Sequence, residues 1–219
     1  MKTTMNEQIK HHLTDSLLMA YSAGSLPEAF SLAVATHISM CDECRARLGS
    51  FDSLGGALVE ETEAVKMSAG SLDAVMERLK DPGEKLQMPP QNNGVLPQPL
   101  QDYVGGDLDS VKWKSIGMGV KQAILPTSPD ASARLLFIPA GAAVPDHGHQ
   151  GTELTLVLKG AFADEVDHFG PGDIEIANED LNHTPVADIG GDCICLAATD
   201  APLKFKGLFP RLAQPFLRI

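Results

Sequence analysis

Apolar positions follow a helical period up to about residue 80 and a strand-like texture after residue 100. Leu17, Leu18 and Tyr21 form a stripe within Thr14 to Ala23, with Thr14 placed to cap a first helix and Asp15 suited to its positive end. Gly24 is a plausible stop. Ser25 and Glu28 have the spacing of a capping box, and Pro27 fits a first turn, so a second helix is expected through Ala29, Phe30, Ala33, Val34 and His37 to about Met40. A third is expected from about Asp42 to Leu58, with Leu48, Phe51, Leu54 and Leu58 on one side and Gly55-Gly56 weakening its end. A short fourth runs from Leu72 to Lys80, capped by Ser71, with Val75, Met76 and Leu79 apolar. The core these helices imply is thin, and domains of this size often need a staple.

Residues 81–99 hold five prolines and two glycines, the composition of a linker; an irregular loop docked on one domain is the alternative. Beyond them, segments rich in Val, Ile, Leu and Phe alternate with Gly, Pro and Asp turns: Val111–Trp113, Gly119–Leu125, Ala133–Ile138, Leu154–Leu158, Asp173–Ala177, Cys193–Ala197 and Leu203–Phe205. Such spacing without a helical period predicts an all-β sandwich or barrel. The expected organisation is an all-α domain over residues 1–85, a Pro-rich linker over 86–99 and an all-β domain over 100–219.

The formal net charge of −12 argues against a sequence-independent grip on nucleic acid, which needs a basic surface, so no direct nucleic-acid partner is expected. Met1 to Lys10 is polar, without the apolar stretch of a signal peptide, and no run is long enough to span a membrane. The expected location is the cytoplasm. Four cysteines fall in two close pairs, which in that compartment suggest metal binding or redox chemistry more than a disulfide framework.

The first pair lies in His37-Ile38-Ser39-Met40-Cys41-Asp42-Glu43-Cys44, an H-x3-C-x2-C motif. His37 and Cys41 stand one helical turn apart, and Cys44 comes next at the step of a chain turning back around a metal. Two imidazoles and two thiolates would complete a tetrahedral structural zinc site. His11 and His12 are the nearest candidates for the fourth donor, and residue chemistry alone does not choose between them. A redox dithiol is the rival reading, and thiolates on zinc can themselves be oxidised.

These residues resemble a known family. His11-His12-Leu13-Thr14-Asp15, Ala29-Phe30-Ser31-Leu32, Ala35-Thr36-His37 and Cys41-Asp42-Glu43-Cys44-Arg45-Ala46-Arg47 are similar to the zinc-binding anti-sigma domain of the ChrR-type anti-sigma factors. The resemblance implies that His12 is the fourth zinc ligand. It also implies that the helical domain clamps a group IV (ECF) sigma factor and hides its surfaces for RNA polymerase and promoter DNA.

A second cluster has the pattern G-x5-H-x-H-x3-E-x6-G from Gly141 to Gly160. His147 and His149, two apart on an extended strand, share a face, and Glu153 can arrive on that side from the next strand. His183 comes after the Gly170-Pro171-Gly172-Asp173 turn. The pattern is that of a cupin, a jelly-roll barrel with metal ligands inside. It departs from the family at Ala177 to His183, where the usual P-x-G before the last histidine is missing. Open six-coordinate geometry would suit an iron or manganese enzyme, and a closed tetrahedron would suit zinc. The ChrR resemblance extends across this domain, including Asp192 to Leu203, and implies a zinc cupin that responds to singlet oxygen or related oxidants. Cys193 and Cys195 face one side of a strand and read either as packing thiols or as an oxidant-sensitive pair. His168 reads as a surface histidine and Trp113 as core.

The leading expectation is therefore an anti-sigma factor, not an enzyme, with one Zn2+ per domain: His12, His37, Cys41 and Cys44 in the first, His147, His149, Glu153 and His183 in the second. An ECF-type sigma factor is expected to be bound 1:1 and released under oxidative stress, the cupin being needed for that response. The alternative is a metal-dependent cupin enzyme, a dioxygenase or isomerase, with a regulatory zinc domain.

Overall fold

The computed structural model of the chain describes residues 9–80 and 94–205. Helix α1 is Asp15–Ser22 and opens on the expected cap, the Thr14 hydroxyl accepting from the Leu17 amide at 3.3 Å. Helix α2 is Glu28–Met40, but the Ser25–Glu28 capping box does not form. The Ser25 hydroxyl donates instead to the Ala20 carbonyl, and Glu28 is drawn away to the Tyr103 hydroxyl at 2.6 Å and the Ser128 amide at 2.6 Å. Helix α3, Asp42–Glu60, runs through Gly55-Gly56, whose cost of about 1 kcal/mol each does not stop it. Helix α4 is Ser71–Lys80, with Ser71 inside the helix and its hydroxyl paired with that of Ser68.

The stretch expected as a linker lies outside the described residues over 86–93. From residue 94 onward the chain is docked: Leu96 is 1% exposed, and helix α5, Gln98–Val104, which the sequence pattern did not suggest, buries Leu100 against α2. Val111–Trp113, expected as a strand, leads out of a 3-10 turn at Leu108–Ser110, and the first strand begins just after it.

The β strands are β1 (Lys114–Gly117), β2 (Val120–Ile124), β3 (Ser132–Ile138), β4 (His147–Gly148), β5 (Glu153–Lys159), β6 (Phe162–Ala163), β7 (His168–Phe169), β8 (Ile174–Ala177), β9 (Asn182–His183), β10 (Val186–Ala187), β11 (Cys193–Thr199) and β12 (Lys204–Phe205). They form a six-stranded sheet in the order β1-β2-β3-β11-β5-β8 and two three-stranded sheets, β10-β6-β7 and β12-β4-β9, giving the cupin barrel. All pairings are antiparallel.

The central strands β3, β5 and β11 of the large sheet are buried on both faces. Leu135, Leu154, Leu156, Ile194, Leu196 and Ala198 share one cluster with Phe30, Leu32, Ala33 and Val34 of α2. The alternate residues Ile138, Val157, Cys193 and Cys195 belong to a second cluster inside the barrel. Period-2 alternation therefore separates the helix-facing side from the lumen rather than core from water. The polar strand residues Gln122, Arg134, Glu153 and Glu175 fall in the lumen-facing set and are all buried. Helix α2 packs on β3, β5 and β11 as well as on α1, α3 and α5, so the helices and the barrel are built on one shared core. A helix covered nearly all round needs no polar stripe, and α2 buries Ala29, Phe30, Leu32, Ala33, Val34, Thr36 and His37.

Candidate metal centres and the link between them

The first centre sits where α2 ends and α3 begins. Cys41 is the junction residue, and its Sγ caps α3 by accepting from the Cys44 amide at 3.4 Å. His37 arrives from the last turn of α2, and His12 from the segment ahead of α1. Donor atoms of His12, His37, Cys41 and Cys44 all lie within 4.8 Å of one another. The His12 Nδ1 stands 3.3 Å from the Cys41 Sγ and 3.6 Å from the Cys44 Sγ. A tetrahedral zinc with ordinary Zn–N and Zn–S bonds would put such atoms roughly 3.6 Å apart.

Burial makes the same case. His37 is fully buried, and neither ring nitrogen makes a hydrogen bond of ordinary geometry. Leaving such groups unpaired costs about 1–3 kcal/mol each, which a cation on one nitrogen would relieve. Burial pushes His37 down to about 4, against a smaller opposing pull from the nearby Gly172 carbonyl, so the ring is neutral and a competent ligand. Burial likewise raises the Cys44 thiol to about 11. A thiolate there needs a cation, and the donor set fits a divalent metal of zinc's softness.

His11 turns the other way. Its ring stands 3.1 Å from Asp167 and stacks obliquely on Phe169 of the barrel. Its backbone is gripped by Asp173, which accepts from the Lys10 amide at 2.6 Å and the His11 amide at 2.8 Å. The Ile174 amide donates to the His11 carbonyl at 3.3 Å. Gly172, at φ +90°, lets Ile9 lie over the turn; a β-carbon there would come within 2.5 Å of the Ile9 side chain. Residues 9–12 are thus pinned to the turn that opens β8.

The second centre lies inside the barrel. β4 pairs with β9 so that His147 is directly opposite His183, and His149 comes just after β4. The His183 Nε2 is 3.2 Å from the His147 Nε2 and 3.3 Å from the His149 Nε2, a spacing a tetrahedral zinc would set at about 3.3 Å. Glu153 is 8% exposed but stands outside this trio. Its carboxylate lies 3.6 Å from the Nδ1 of His149 and accepts from the Thr155 hydroxyl at 3.0 Å. Burial lowers His147 and His149 despite the Glu153 charge, which keeps the imidazoles neutral for coordination.

Two carboxylates behind His183 were not singled out in the sequence. The His183 Nδ1 donates to Asp164 at 2.7 Å and Glu175 at 3.0 Å, which orients the ring with Nε2 toward the other imidazoles. Asp164, Glu175 and His183 also approach one another as a metal trio would, but the Nδ1 they share already carries the proton. Burial raises Glu175 to about 7, while Asp164, although burial opposes it, is lowered by hydrogen bonds from Glu175 and His183. One proton is therefore held between the two carboxyls. Burial would lower His183, but these carboxylates outweigh it and raise the ring to about 9, so a metal taking Nε2 would displace a proton from it. The signal was visible as an acidic residue alternating with isoleucines in Asp173-Ile174-Glu175-Ile176.

β8 joins the two centres. Asp173 at its head holds the backbone beside His12, and Glu175 two residues on holds His183. Asp173→Ala is expected to speed hydrogen exchange at the Lys10 and His11 amides at least ~10-fold, since charge-assisted hydrogen bonds contribute ~1.5–3 kcal/mol each. Burial raises the Asp173 carboxyl, but the His11, Gly170 and Lys10 amides outweigh it and hold it below the usual range. Its contribution is complete above the unfolded value of about 3.9 and is lost only as pH falls through the lower folded value.

Cys193 and Cys195 are buried with their sulfurs 3.4 Å apart, and the Cys193 hydrogen bond together with burial raises the Cys195 thiol. His168 is half exposed and pairs with Asp188 at 2.9 Å. Trp113 is partly buried and packs edge-on against Phe137.

A family model described as the ChrR cupin-like domain matches residues 101–201. The anti-sigma-E factor ChrR of Cereibacter sphaeroides is 60% identical over 211 residues, 96% of this chain and 99% of that protein. A crystal structure of Rhodobacter sphaeroides SigE in complex with the anti-sigma ChrR matches with a TM-score of 0.79 and 61% identity, over 88% of this chain and 100% of the other. The relative is a regulator rather than an enzyme, so the alternative of a cupin dioxygenase or isomerase is set aside. With that identity over nearly its whole length, the chain belongs to the ChrR family of anti-sigma factors.

Proposed function

We propose that the chain sequesters an ECF (group IV) sigma factor, bound 1:1 through the helical domain over residues 1–85, and releases it on exposure to singlet oxygen or a related oxidant. The observation that carries this reading is α4. Leu72, Val75, Met76 and Leu79 are 72%, 49%, 52% and 72% exposed, and α4 packs extensively on no other described element. Leu54, Leu58 and Val59 at the far end of α3 are similarly uncovered. Apolar faces left over after the core is made are what a clamp would close on a partner. The SigE complex of the relative supports the choice of partner. A cytoplasmic site of action fits that partner, and among the described residues no helix is long and apolar enough to cross a membrane.

His12, His37, Cys41 and Cys44 would hold a structural zinc. His147, His149 and His183 would hold a second, with Glu153 completing the set after rotation of its side chain. Zinc, when bound, gathers the donors of each centre and keeps the first centre's thiols ionised. The cupin serves the response: a change at His183 passes through Glu175 along β8 to Asp173 and the segment bearing His12. Oxidation at the barrel thereby loosens the clamp.

The double variant Val75→Asp/Leu79→Asp tests the docking face. Affinity for the sigma factor is expected to fall at least ~30-fold, the loss of two apolar anchors, with circular dichroism and metal content unchanged. Full affinity in that variant would place the docking face elsewhere.

A further inference from the structure

Two sulfurs in the barrel stand outside both metal centres. Cys193 and Cys195 are two apart on β11, so both project from one face of the strand. They are 0% and 1% exposed, and their sulfurs lie 3.4 Å apart. That is well beyond the ~2.05 Å of a disulfide, and both thiols are free. The chain's other two cysteines, Cys41 and Cys44, belong to the first centre.

The pair borders open space. It belongs to the lumen cluster with Val120, Ile138, Val157 and Phe162. Cys195 itself lines a cavity of about 330 Å3, together with Val120, Leu136 and Phe162. The lining continues to Met118, which is 74% exposed, so the cavity runs from the buried sulfur to the surface. Its volume lies at the small end of the range for ligand pockets. Arg134 and the carboxylates Glu153 and Glu175 line it too, so both signs of charge are present and charge does not select an occupant.

Sulfur chemistry does. Two thiols at this spacing can chelate one soft, thiophilic atom. Trivalent arsenic takes three substituents. Inorganic arsenite calls for a third sulfur, and the remaining cysteines are committed to the first centre. A mono-organoarsenical needs only two sulfurs, and its organic group would lie against the apolar wall. We propose that Cys193 and Cys195 form a chelating site for a trivalent mono-organoarsenical whose apolar substituent occupies the lumen cavity. With phenylarsonous acid, two As–S bonds form and two As–O bonds break. Each thiol proton leaves with an arsenic hydroxyl as water, and arsenic stays trivalent, so neither oxidant nor reductant is required.

The test is titration of the full-length, metal-loaded protein with phenylarsonous acid, metal being counted at each step. Free thiols are then alkylated on denaturation and the protein is mapped with trypsin. One equivalent is expected to bind, with protein-bound metal unchanged. The two cysteine pairs fall on different tryptic peptides, residues 11–45 and 160–204, so the map locates the arsenical without any substitution. Peptide 160–204 should be protected from alkylation and peptide 11–45 alkylated. Arsenite should bind at least ~10-fold more weakly, and Cys195→Ser, which breaks the chelate, should weaken phenylarsonous acid at least ~10-fold. Absence of binding, arsenical on peptide 11–45, loss of metal in step with binding, arsenite as tight as the organoarsenical, or undiminished affinity in a folded Cys195→Ser variant would each overturn the proposal.

Discussion

Cys41→Ala is expected to cost the protein one of two bound metal equivalents and to abolish sigma-factor binding. Cys41 does two things at once. Its sulfur caps α3 through the Cys44 amide, and it stands 3.3 Å from His12 as one of four clustered donors. Losing the cap alone costs about 1 kcal/mol. Losing a structural zinc removes an interaction worth ~10–16 kcal/mol, which equals or exceeds the ~5–15 kcal/mol stability of a whole domain. α1, α3 and the His12 segment are therefore expected to come apart, while α2 remains anchored on the sheet. Cys41→Ser separates the two effects, because a hydroxyl can cap the helix yet is a poor substitute for a thiolate on zinc. Both variants should lose the metal and the partner, and limited proteolysis should cut near residues 12–27 and 41–60. Two retained metal equivalents with unchanged affinity would mean that the cluster is not a structural metal site.

The chemistry of this centre is local enough to read. H-x3-C-x2-C lies within eight residues, and helix geometry alone puts His37 and Cys41 on one face. The choice between His11 and His12 is different in kind. It depends on Asp167 and Asp173 drawing His11 to the barrel, partners more than 150 positions away that no local pattern announces. The same limit hid the shared core. The apolar runs of β3 and β11 mark strands, but only the fold shows that α2 covers their second face, so the helices are less independent of the barrel than the linker suggested. The failed capping box at Ser25–Glu28 has a matching cause. Glu28 gains more from Tyr103 and Ser128 across the layers than from its own helix end. Of the cupin donors, the three histidines come together in the fold, whereas Glu153 is near but turned toward Thr155, a side-chain rotation that spacing does not encode.

His149→Ala should leave sigma-factor affinity within about three-fold of the parent and abolish release by singlet oxygen. His149 is buried, its Nε2 lies 3.3 Å from that of His183, and its Nδ1 has no hydrogen-bond partner apart from the nearby Glu153 charge. Its truncation would leave His147, His183 and a Glu153 that must rotate to reach them, a donor set expected to hold zinc far less tightly than the parent site. The first centre's donors are untouched, so the clamp stays folded and the effect falls on the response. The proposed route from barrel to clamp makes a sharper statement. Asp173→Ala should keep both metals and near-parental affinity, because it removes no donor, yet it should blunt release at least five-fold by freeing residues 9–12 from β8. Glu175→Gln, at the other end of the same strand, should act with it non-additively if one path carries the signal. The readout is the fraction of sigma factor freed from the purified complex under a fixed dose of photogenerated singlet oxygen, with metal counted before and after. Normal release from a His149→Ala complex shown to lack the barrel metal would remove the cupin centre from sensing. Normal release in Asp173→Ala would leave the sensor in place but reject β8 as its connection to the clamp.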